Sequence, residues 1–586
     1  MNAAQAPTFA ERLQKHLNVL YPQSDSTVLA EQIAQRIERP PSTEPSALPA
    51  RPPTEPWSQR DSLLLTYGDS LLAADEAPLK TLRKFLRDHV GDAISAVHVL
   101  PFFPYSSDDG FAVIDYLRVD PKLGDWQDIR RLGETHALMF DLVINHVSSQ
   151  HQWFQNYQAG IEPGASYFIE LNADSDLQTV VRPRTSPLLR PTPTPVGEKH
   201  VWCTFGHDQI DLNFAKPQVL LEMVEVVRTY LDNGAKIIRL DAIGYLWKRL
   251  GTSCIHLPET HEVVRLLRTI IDHASPGSWL ITETNVPNHE NLTYFGNRNE
   301  AHVIYNFSLA PLILHALLSG KAAYLQRWMR SMPPAPVGCT YLNFTASHDG
   351  IGMRPAEGLL SDEEQSQVVE TVKSFGGLVS SRGTPDGGER VYELNISFFD
   401  AMRGTFAGRD DFQVDRFLCS QTIAMGIEGI PAIYIHSLLA TPNDLAGVQT
   451  TGRNRSINRH RWDAEQLEGL LQDESSATAR VHGELLRRLR LRAEQAAFHP
   501  AATQFTLILD NHFFGFWRQS IDRQQSIFAV HNLTNQPQPL SLEELNLIST
   551  DHWTDILSGQ PMPGMYESIT VAPYQCLWIT NSSHNR

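Results

Sequence analysis

Short apolar runs recur along the middle of the chain, and most are followed by a stretch with helical periodicity. We predict eight strands, near residues 62–66, 95–100, 137–143, 235–241, 279–283, 302–307, 340–345 and 429–435. Helical patterns separate most of them, for example from Pro217 to Asn233 and from His261 to His273. Short apolar strands that alternate with helices are typical of a parallel barrel. The sequence therefore predicts an α/β protein built on a (β/α)8 TIM barrel.

The two ends of the chain follow other patterns. Residues 8–38 have the spacing of two helices, and a proline-rich strap runs from Pro40 to Pro56. After about Gln504 the period changes to that of strands, near 505–509, 513–517, 526–530 and 576–579. We therefore expect an N-terminal helical extension with its strap over residues 1–60 and a small C-terminal antiparallel β domain over residues 504–586.

Two gaps between predicted strands are too long for ordinary barrel connections. We assign residues 61–146, 215–349 and 406–503 to the barrel, with an inserted domain at 147–214 after strand 3 and an inserted loop domain at 350–405 after strand 7. Both inserts leave the carboxyl ends of their strands, where barrels place their active sites. We expect these two excursions to wall in a substrate.

Composition narrows the classes of partner. The chain has 586 residues, 42% of them hydrophobic and 20% charged, which is typical of a globular protein with more than one module. Its formal charge of −17 disfavours nucleic acid and anionic membranes as partners. Five scattered cysteines without metal-binding spacing, no secretory signal and no long apolar run indicate a cytoplasmic protein with reduced thiols.

Three acidic side chains follow three of the predicted strands. They are Asp241, Glu283 and Asp349. Because the carboxyl ends of barrel strands converge on one mouth, we expect these carboxylates to lie close together. Clustered carboxylates with opposite charge nearby are what making and breaking a glycosidic bond requires.

Four short strings around these acids resemble the signature regions of the α-amylase superfamily of glycoside hydrolases. They are Asp141-Leu-Val-Ile-Asn145-His146, Arg239-Leu-Asp241, Glu283 after its strand, and His348-Asp349. Further strings resemble the sucrose phosphorylase subfamily over about residues 62–465, among them Thr66-Tyr-Gly-Asp69, Arg182-Pro-Arg184, Gln209-Ile-Asp-Leu-Asn213 and Arg455-Ser-Ile-Asn-Arg-His460. Tyr392-Glu393-Leu-Asn395 and Tyr434-Ile-His-Ser-Leu-Leu439 resemble its glucosylglycerate phosphorylase branch.

The resemblance implies a retaining double displacement. Asp241 is then the nucleophile, and Glu283 is the acid/base, with a pKa raised by the Asp241 charge. Asp349 stabilises the transition state, and Arg239 keeps Asp241 ionised. A retaining pair of carboxyl groups stands about 5–5.5 Å apart.

The same resemblance implies a pocket for one glucose ring. His146 and His348 would donate hydrogen bonds to sugar hydroxyls, and Phe205 and Tyr245 would face the ring. Asp109 and Arg455 resemble the pair that clamps its far hydroxyls.

A phosphorylase must also hold phosphate, which demands fixed positive charge. Arg184 matches a phosphate-site arginine of the subfamily, and Tyr392 matches a neighbouring loop residue. We expect Glu393, next to Tyr392, to contribute to the same phosphate and acceptor site. Arg182 and Arg390 are further cationic candidates. Sucrose phosphorylases typically carry glutamine at the position of Glu393, which argues against fructose as the acceptor.

We therefore predict reversible phosphorolysis of 2-O-α-glucosylglycerate, with inorganic phosphate and a small α-glucoside as partners and with no organic cofactor and no metal. The alternatives are a phosphorylase of sucrose, sucrose 6'-phosphate or glucosylglycerol, a hydrolase or transglucosidase that ignores phosphate, and an inactive barrel used for binding. The first 60 residues either cover the barrel floor or mediate a homodimer.

Overall fold

The centre of the molecule is a closed barrel of eight parallel strands, seen in a computed structural model that describes residues 7–41, 48, 51–52, 54–383, 388–545, 547 and 552–581. In chain order its strands are Leu63–Thr66, Ala96–Val99, Ala137–Leu142, Ala235–Leu240, Trp279–Thr282, Val303–Tyr305, Thr340–Asn343 and Ile430–Tyr434. Each strand pairs with its neighbours in sequence, and the first pairs with the last. All eight predicted strands are present, and the TIM barrel is confirmed. Almost every strand residue is buried, because side chains fill the interior and helices cover the outside.

Helices surround this barrel and extend beyond it. The longer ones are Phe9–Leu20, Ser26–Glu38, Pro78–Phe85, Trp126–Leu132, Gln152–Ala159, Pro217–Asp232, Pro258–Ala274, Leu309–Ser319, Ala323–Ser331, Asp362–Ser374, Gln413–Gly426, Leu445–Thr451, Ala464–Gln472 and Ala477–Ala493. Several begin as their sequences predict, with proline in the first turn or with a Ser, Thr or Asp cap. Among the described helices, none has the length and apolar character needed to cross a membrane.

The first two helices pack on the outside of the barrel rather than under it. His16 Nδ1 lies 2.7 Å from a carboxylate oxygen of Glu262, on the helix before strand 5. Arg228, on the helix before strand 4, donates to the backbone oxygen of Ile37 over 2.8 Å. Homodimerisation through this extension stays a prediction.

The proline-rich strap falls partly outside the described residues, since 42–47, 49–50 and 53 are not described. Its described part reaches the amino ends of the barrel strands. Arg51 is ion-paired with Asp61 over 2.6 Å, just before strand 1. The Trp279 indole, at the start of strand 5, donates to the backbone oxygen of Pro56 over 3.1 Å. These described strap residues therefore lie against the floor of the barrel.

Both long excursions carry small antiparallel sheets. After strand 3 the chain forms the pair His146–Ser148 and Gln209–Asp211 and a sheet of Glu170–Leu171, Leu189–Thr194 and Gly197–Trp202. After strand 7 it forms a sheet of Ile351–Gly352, Leu378–Gly383 and Glu389–Asn395. Both excursions leave the carboxyl ends of barrel strands, so their loops stand at the same mouth.

The C-terminal part contains antiparallel sheets, as predicted. One comprises Thr503–Thr506, Phe513–Gln519, Ser526–Asn532, Cys576–Thr580 and Thr554–Asp555, and another pairs Gln538–Ser541 with Ser568–Val571. The first strand ends at Thr506, short of the expected 505–509. The five cysteines are free and buried.

Candidate active site

A single guanidinium gathers three carboxylates at the barrel mouth. Arg239 and Asp241 lie two residues apart at the end of strand 4, so their side chains share a face. Arg239 NH1 lies 2.8 Å from Asp241 Oδ1 and is also ion-paired with Asp141. Its NH2 lies 3.8 Å from Glu283 Oε2, at the end of strand 5. The structure thus brings the predicted nucleophile and the predicted acid/base to one buried cation.

Burial and the Arg239 charge affect the pKa values of Glu283 and Asp241 differently. Burial raises the pKa of Glu283 to about 7; the Arg239 charge opposes the rise and the Asp241 charge adds to it. Burial also raises the pKa of Asp241, and the Arg239 guanidinium opposes that rise. Asp241 is in direct contact with the guanidinium, whereas Glu283 is 3.8 Å away. The negative charge is therefore more stable on Asp241, and the proton is more stable on Glu283. This division suits a nucleophile beside a general acid.

Asp349, beyond strand 7, lies between two further arginines. Arg455 NH1 is 2.5 Å from Asp349 Oδ1, and Arg459 NH2 is 3.5 Å from the same oxygen. Burial works to raise the pKa of Asp349, but the Arg455 guanidinium, followed by other nearby cations, holds it well below its usual range. Asp349 is therefore ionised and can accept hydrogen bonds from sugar hydroxyls.

Asp109 and Arg455, the predicted clamp for the far hydroxyls, are not ion-paired with each other. Asp109 Oδ2 is ion-paired with Arg459 NH1, whereas Arg455 contacts Asp349. The two arginines stand four residues apart, with the 3-10 turn Asn454–Asn458 bending the chain before Arg459. A string that contains both arginines does not say which one faces Asp109. Sequence reasoning named only the first and missed Arg459.

The two predicted histidines are held by neighbours on the same side. His146 Nε2 lies 2.9 Å from the backbone oxygen of Phe111 and 3.2 Å from Gln209 Nε2. The His348 ring stacks on the Phe111 ring, with centroids 4.9 Å apart. Burial lowers the pKa of His348 to about 3, so this imidazole is neutral and can donate one hydrogen bond. Phe111 thus links both histidines.

Aromatic rings connect the barrel mouth to the two excursions. Phe205 and Tyr245 meet edge to face, with centroids 5.4 Å apart. The Arg184 guanidinium lies 6.0 Å from the Phe205 ring and 5.7 Å from the Tyr392 ring. Arg184 and Phe205 come from the first excursion and Tyr392 from the second. The residues that were predicted to bind glucose and phosphate are therefore adjacent.

A cavity of about 350 Å³ opens beside this aromatic group and is rich in arginine. Its described lining consists of Asp108, Arg184, Ser380, Ser381, Tyr392, Glu393, Gly452, Arg453, Asn454, Arg455 and Arg459. We call it the arginine cavity. Two of its arginines also contact Asp349, so the cavity adjoins the carboxylate cluster. Its charge suits a small anion.

The two further cationic candidates have different places. Arg390 lines a separate groove with Glu357 and Lys373, and neither Arg390 nor Arg182 is among the described lining of the arginine cavity. Burial lowers the pKa of Arg182. Arg184 is therefore the member of the Arg-Pro-Arg string that faces the arginine cavity.

Glu393 lies at this cavity, but its carboxylate is already engaged. Its two oxygens accept from Arg455 over 2.9 and 3.1 Å, and one also accepts from the Gly350 backbone N–H over 2.9 Å. The residue is 2% exposed. Glu393 therefore orients Arg455 in this structure, and its predicted direct contact with an acceptor remains a prediction.

Lys248 is a buried cation that the sequence reasoning missed. Its ammonium lies 2.6 Å from Asn145 Oδ1 and 2.6 Å from Asp211 Oδ2, and its side chain is 3% exposed. It joins strand 3 to the returning end of the first excursion, next to His146. Among the described residues, no group of three or more His, Cys, Asp or Glu side chains could hold a metal ion.

The chain matches a known protein family and is similar to several known proteins. The family description "Alpha amylase, catalytic domain" matches residues 91–349. The chain is 40% identical over 577 residues to a glucosylglycerate phosphorylase of Allomeiothermus silvanus, covering 98% of this chain and 99% of that protein. It is 31% identical to a sucrose phosphorylase of Streptococcus mutans, covering 69% and 83%. The crystal structure of sucrose 6F-phosphate phosphorylase from Thermoanaerobacter thermosaccharolyticum superposes with a TM-score of 0.70 and 28% identity, covering 81% and 94%.

Proposed function

The chain belongs to the α-amylase superfamily, in the family of the sucrose and glucosylglycerate phosphorylases, and on this premise we propose that it is a retaining α-glucoside phosphorylase. Its reaction would convert 2-O-α-glucosylglycerate and phosphate reversibly into α-glucose 1-phosphate and glycerate. The observation that carries this proposal is the arginine cavity beside the carboxylate cluster. A hydrolase would need no such concentration of positive charge.

In the first half-reaction the Asp241 carboxylate attacks the anomeric carbon of the glucosyl group. The bond from that carbon to the glycerate oxygen breaks, and Glu283 gives its proton to that oxygen. The result is a β-glucosyl ester of Asp241, a deprotonated Glu283 and free glycerate. The ionised Asp349 would steady the positive charge that develops on the sugar ring.

In the second half-reaction a phosphate oxygen attacks the same carbon and displaces Asp241. Glu283 takes the proton that the attacking oxygen loses, which restores both acids and releases α-glucose 1-phosphate. Arg184 would hold phosphate in this step and the glycerate carboxylate in the reverse direction, since both ligands are small anions. Five buried free thiols support a cytoplasmic setting for this enzyme.

The acceptor is the part of the proposal that most needs an experiment. We would incubate the purified protein with α-glucose 1-phosphate and one acceptor at a time. The acceptors are glycerate, fructose, fructose 6-phosphate and glycerol, and the measurements are phosphate release and the glucoside formed. Glycerate should be the preferred acceptor, with an α linkage seen by NMR. Preference for fructose, fructose 6-phosphate or glycerol would reassign the acceptor, and glucose release independent of phosphate would favour a hydrolase.

A further inference from the structure

The loop that carries Asp109 has an unusual backbone. Asp108 and Asp109 have φ values of 55° and 49°, in the left-handed region that side chains other than glycine rarely adopt. The next residue, Gly110, has a φ of 110°, and a Cβ there would lie 2.6 Å from the backbone oxygen of Pro101. Consecutive strained residues persist only where their surroundings hold them. Something must therefore fix this loop in place.

Several of the contacts that hold the loop converge on one carboxylate from the first excursion, beside the Asp109–Arg459 ion pair and a 3.3 Å contact from the Gln209 amide to Asp108. Asp208 accepts hydrogen bonds from the hydroxyls of Ser106, over 2.5 Å, and of Ser107, the residue directly before the strained pair. It also accepts from the Ser149 hydroxyl over 2.5 Å, and its backbone oxygen accepts from the Ser149 N–H over 3.0 Å. Three hydroxyl donors on one carboxylate form a strong and directional set of bonds.

The same residue stands between the two loops that carry predicted glucose ligands. Ser106 and Ser107 precede Asp109, and Ser149 follows the strand that begins with His146. Asp208 itself immediately precedes Gln209, whose amide reaches His146. Asp208 is not among the described residues that line the arginine cavity or the larger cavity of about 490 Å³ beside Asp109. Its carboxylate is engaged by Ser106, Ser107 and Ser149, so the effect that we assign to it on a sugar acts through these neighbours.

We propose that Asp208 is a positioning residue, which holds Asp109 in the left-handed conformation from which it meets Arg459 and so sets how strongly the enzyme recognises the far hydroxyls of the glucosyl group. The inference rests on the proposed function, and it gives Asp109 and its ion-pair partner Arg459 the grip on those hydroxyls that the resemblance implies for Asp109 and Arg455. The proposal states which part of substrate binding depends on Asp208. Without Asp208 the loop relaxes, and the binding that is lost is the part that depends on those hydroxyls.

The test compares two donors on one set of variants. The donors are α-D-glucosyl fluoride and its 4-deoxy analogue, with phosphate, and the quantity is the ratio of their kcat/KM values. The variants are Asp208→Ala and Asp208→Asn. The control is Asp176→Asn, which alters an exposed carboxylate of the same excursion that accepts from the Gln178 N–H over 3.0 Å.

Asp208→Ala should lower kcat/KM for glucosyl fluoride about 10- to 100-fold and leave the 4-deoxy donor nearly unchanged, so that the ratio collapses. Asp208→Asn should fall between this variant and the wild type, and Asp176→Asn should match the wild type. An unchanged ratio would overturn the proposal, whether both donors lose activity equally, which would show a merely structural role, or neither donor loses any.

Two provisions keep the outcome decisive. If Asp208→Ala does not fold, Ser107→Ala removes only the hydroxyl beside the strained pair and should still lower the ratio; an unchanged ratio in that variant and in Asp208→Asn would overturn the inference. If the wild type releases fluoride without using phosphate, the proposed function fails, while the ratio measured for hydrolysis still tests Asp208.

Discussion

The proposed donor side, around Asp241, and the proposed acceptor side, around Arg184, hold their charges differently. On the donor side the predicted catalytic carboxylates have guanidinium partners, as Asp241 has in Arg239 and Asp349 has in Arg455. On the acceptor side Arg184 lies against two aromatic rings, and within the described part of the chain no carboxylate lies within ion-pair distance of it. A side whose charges are already paired suits a neutral sugar, and a side with positive charge left over suits an anion. The difference between a hydrolase and a phosphorylase is thus expected to lie on the acceptor side.

The strongest way to break the donor side is Asp241→Asn. Loss of a nucleophile costs about 10⁶-fold in kcat in well-studied cases, and we expect a loss of that order here, equal in both directions of the reaction. Initial rates of phosphorolysis and of synthesis from α-glucose 1-phosphate measure it. Activity near that of the wild type in either direction would show that another residue is the nucleophile.

Glu283→Gln tests whether Glu283 carries the proton that assists the leaving group while Asp241 carries the negative charge. Because Glu283 must be protonated to assist the leaving group, and its pKa is raised to about 7, kcat/KM of the wild type should fall as pH rises through about 7. The variant should lose about 10²- to 10⁴-fold on a glucoside and should lack this alkaline limb.

A donor with a good leaving group provides the control for Glu283→Gln. α-Glucosyl fluoride needs little protonation, so its cleavage by the variant should be largely retained. A similar loss on the glucoside and on the fluoride would contradict the acid role.

Lys248→Ala tests whether the buried Lys248–Asp211 ion pair stabilises the fold next to the donor side. Removal of the ammonium takes the cationic partner from the buried Asp211 carboxylate, which keeps neutral donors from Asn145 and Thr204; we expect this to lower the free energy of unfolding by about 3–5 kcal/mol. Denaturant unfolding measures it, and adding Asp211→Asn should recover part of the loss. A change below about 1 kcal/mol, the level of a surface pair, would mean that this cation is not a structural tie.

Arg184→Ala tests whether the acceptor side binds phosphate, and it has the smallest expected effect. Loss of a charge-assisted hydrogen bond should weaken phosphate use about 10- to 150-fold, while hydrolysis of the glucosyl-enzyme should change much less. The ratio of phosphorolysis to hydrolysis measures this. Arg390→Ala is the matched control, since Arg390 lines a separate groove. Equal losses in both reactions, or the same effect in the control, would remove Arg184 from the phosphate site.

Sequence reasoning reached the barrel because each strand has its own local pattern. The run Ile237-Ile238-Arg239-Leu240 is apolar enough to be read alone, and its two-residue spacing predicts that Arg239 and Asp241 share a face. The same reasoning located Glu283 and Asp349 at the mouth, because barrel strand ends converge whatever their separation in sequence.

What the sequence could not indicate depends on side chains far apart in the chain. Lys248 contacts Asn145 across 103 residues, and nothing near either position signals the contact. Arg459 meets Asp109 across 350 residues, and only the turn before it shows which arginine of the string is used. Such pairings are set by tertiary packing, which local patterns do not record.

Arg455 lies where the two proposed half-reactions would meet. It touches Asp349 on the donor side and Glu393 beside the arginine cavity. An anion that arrives there competes with both carboxylates for the same N–H donors, and any rearrangement is felt on both sides. Thermodynamic linkage makes this influence mutual: the factor by which phosphate changes glucosyl affinity equals the factor by which a bound glucosyl group changes phosphate affinity. The proposed function therefore predicts that sugar occupancy and anion occupancy are coupled through one shared guanidinium.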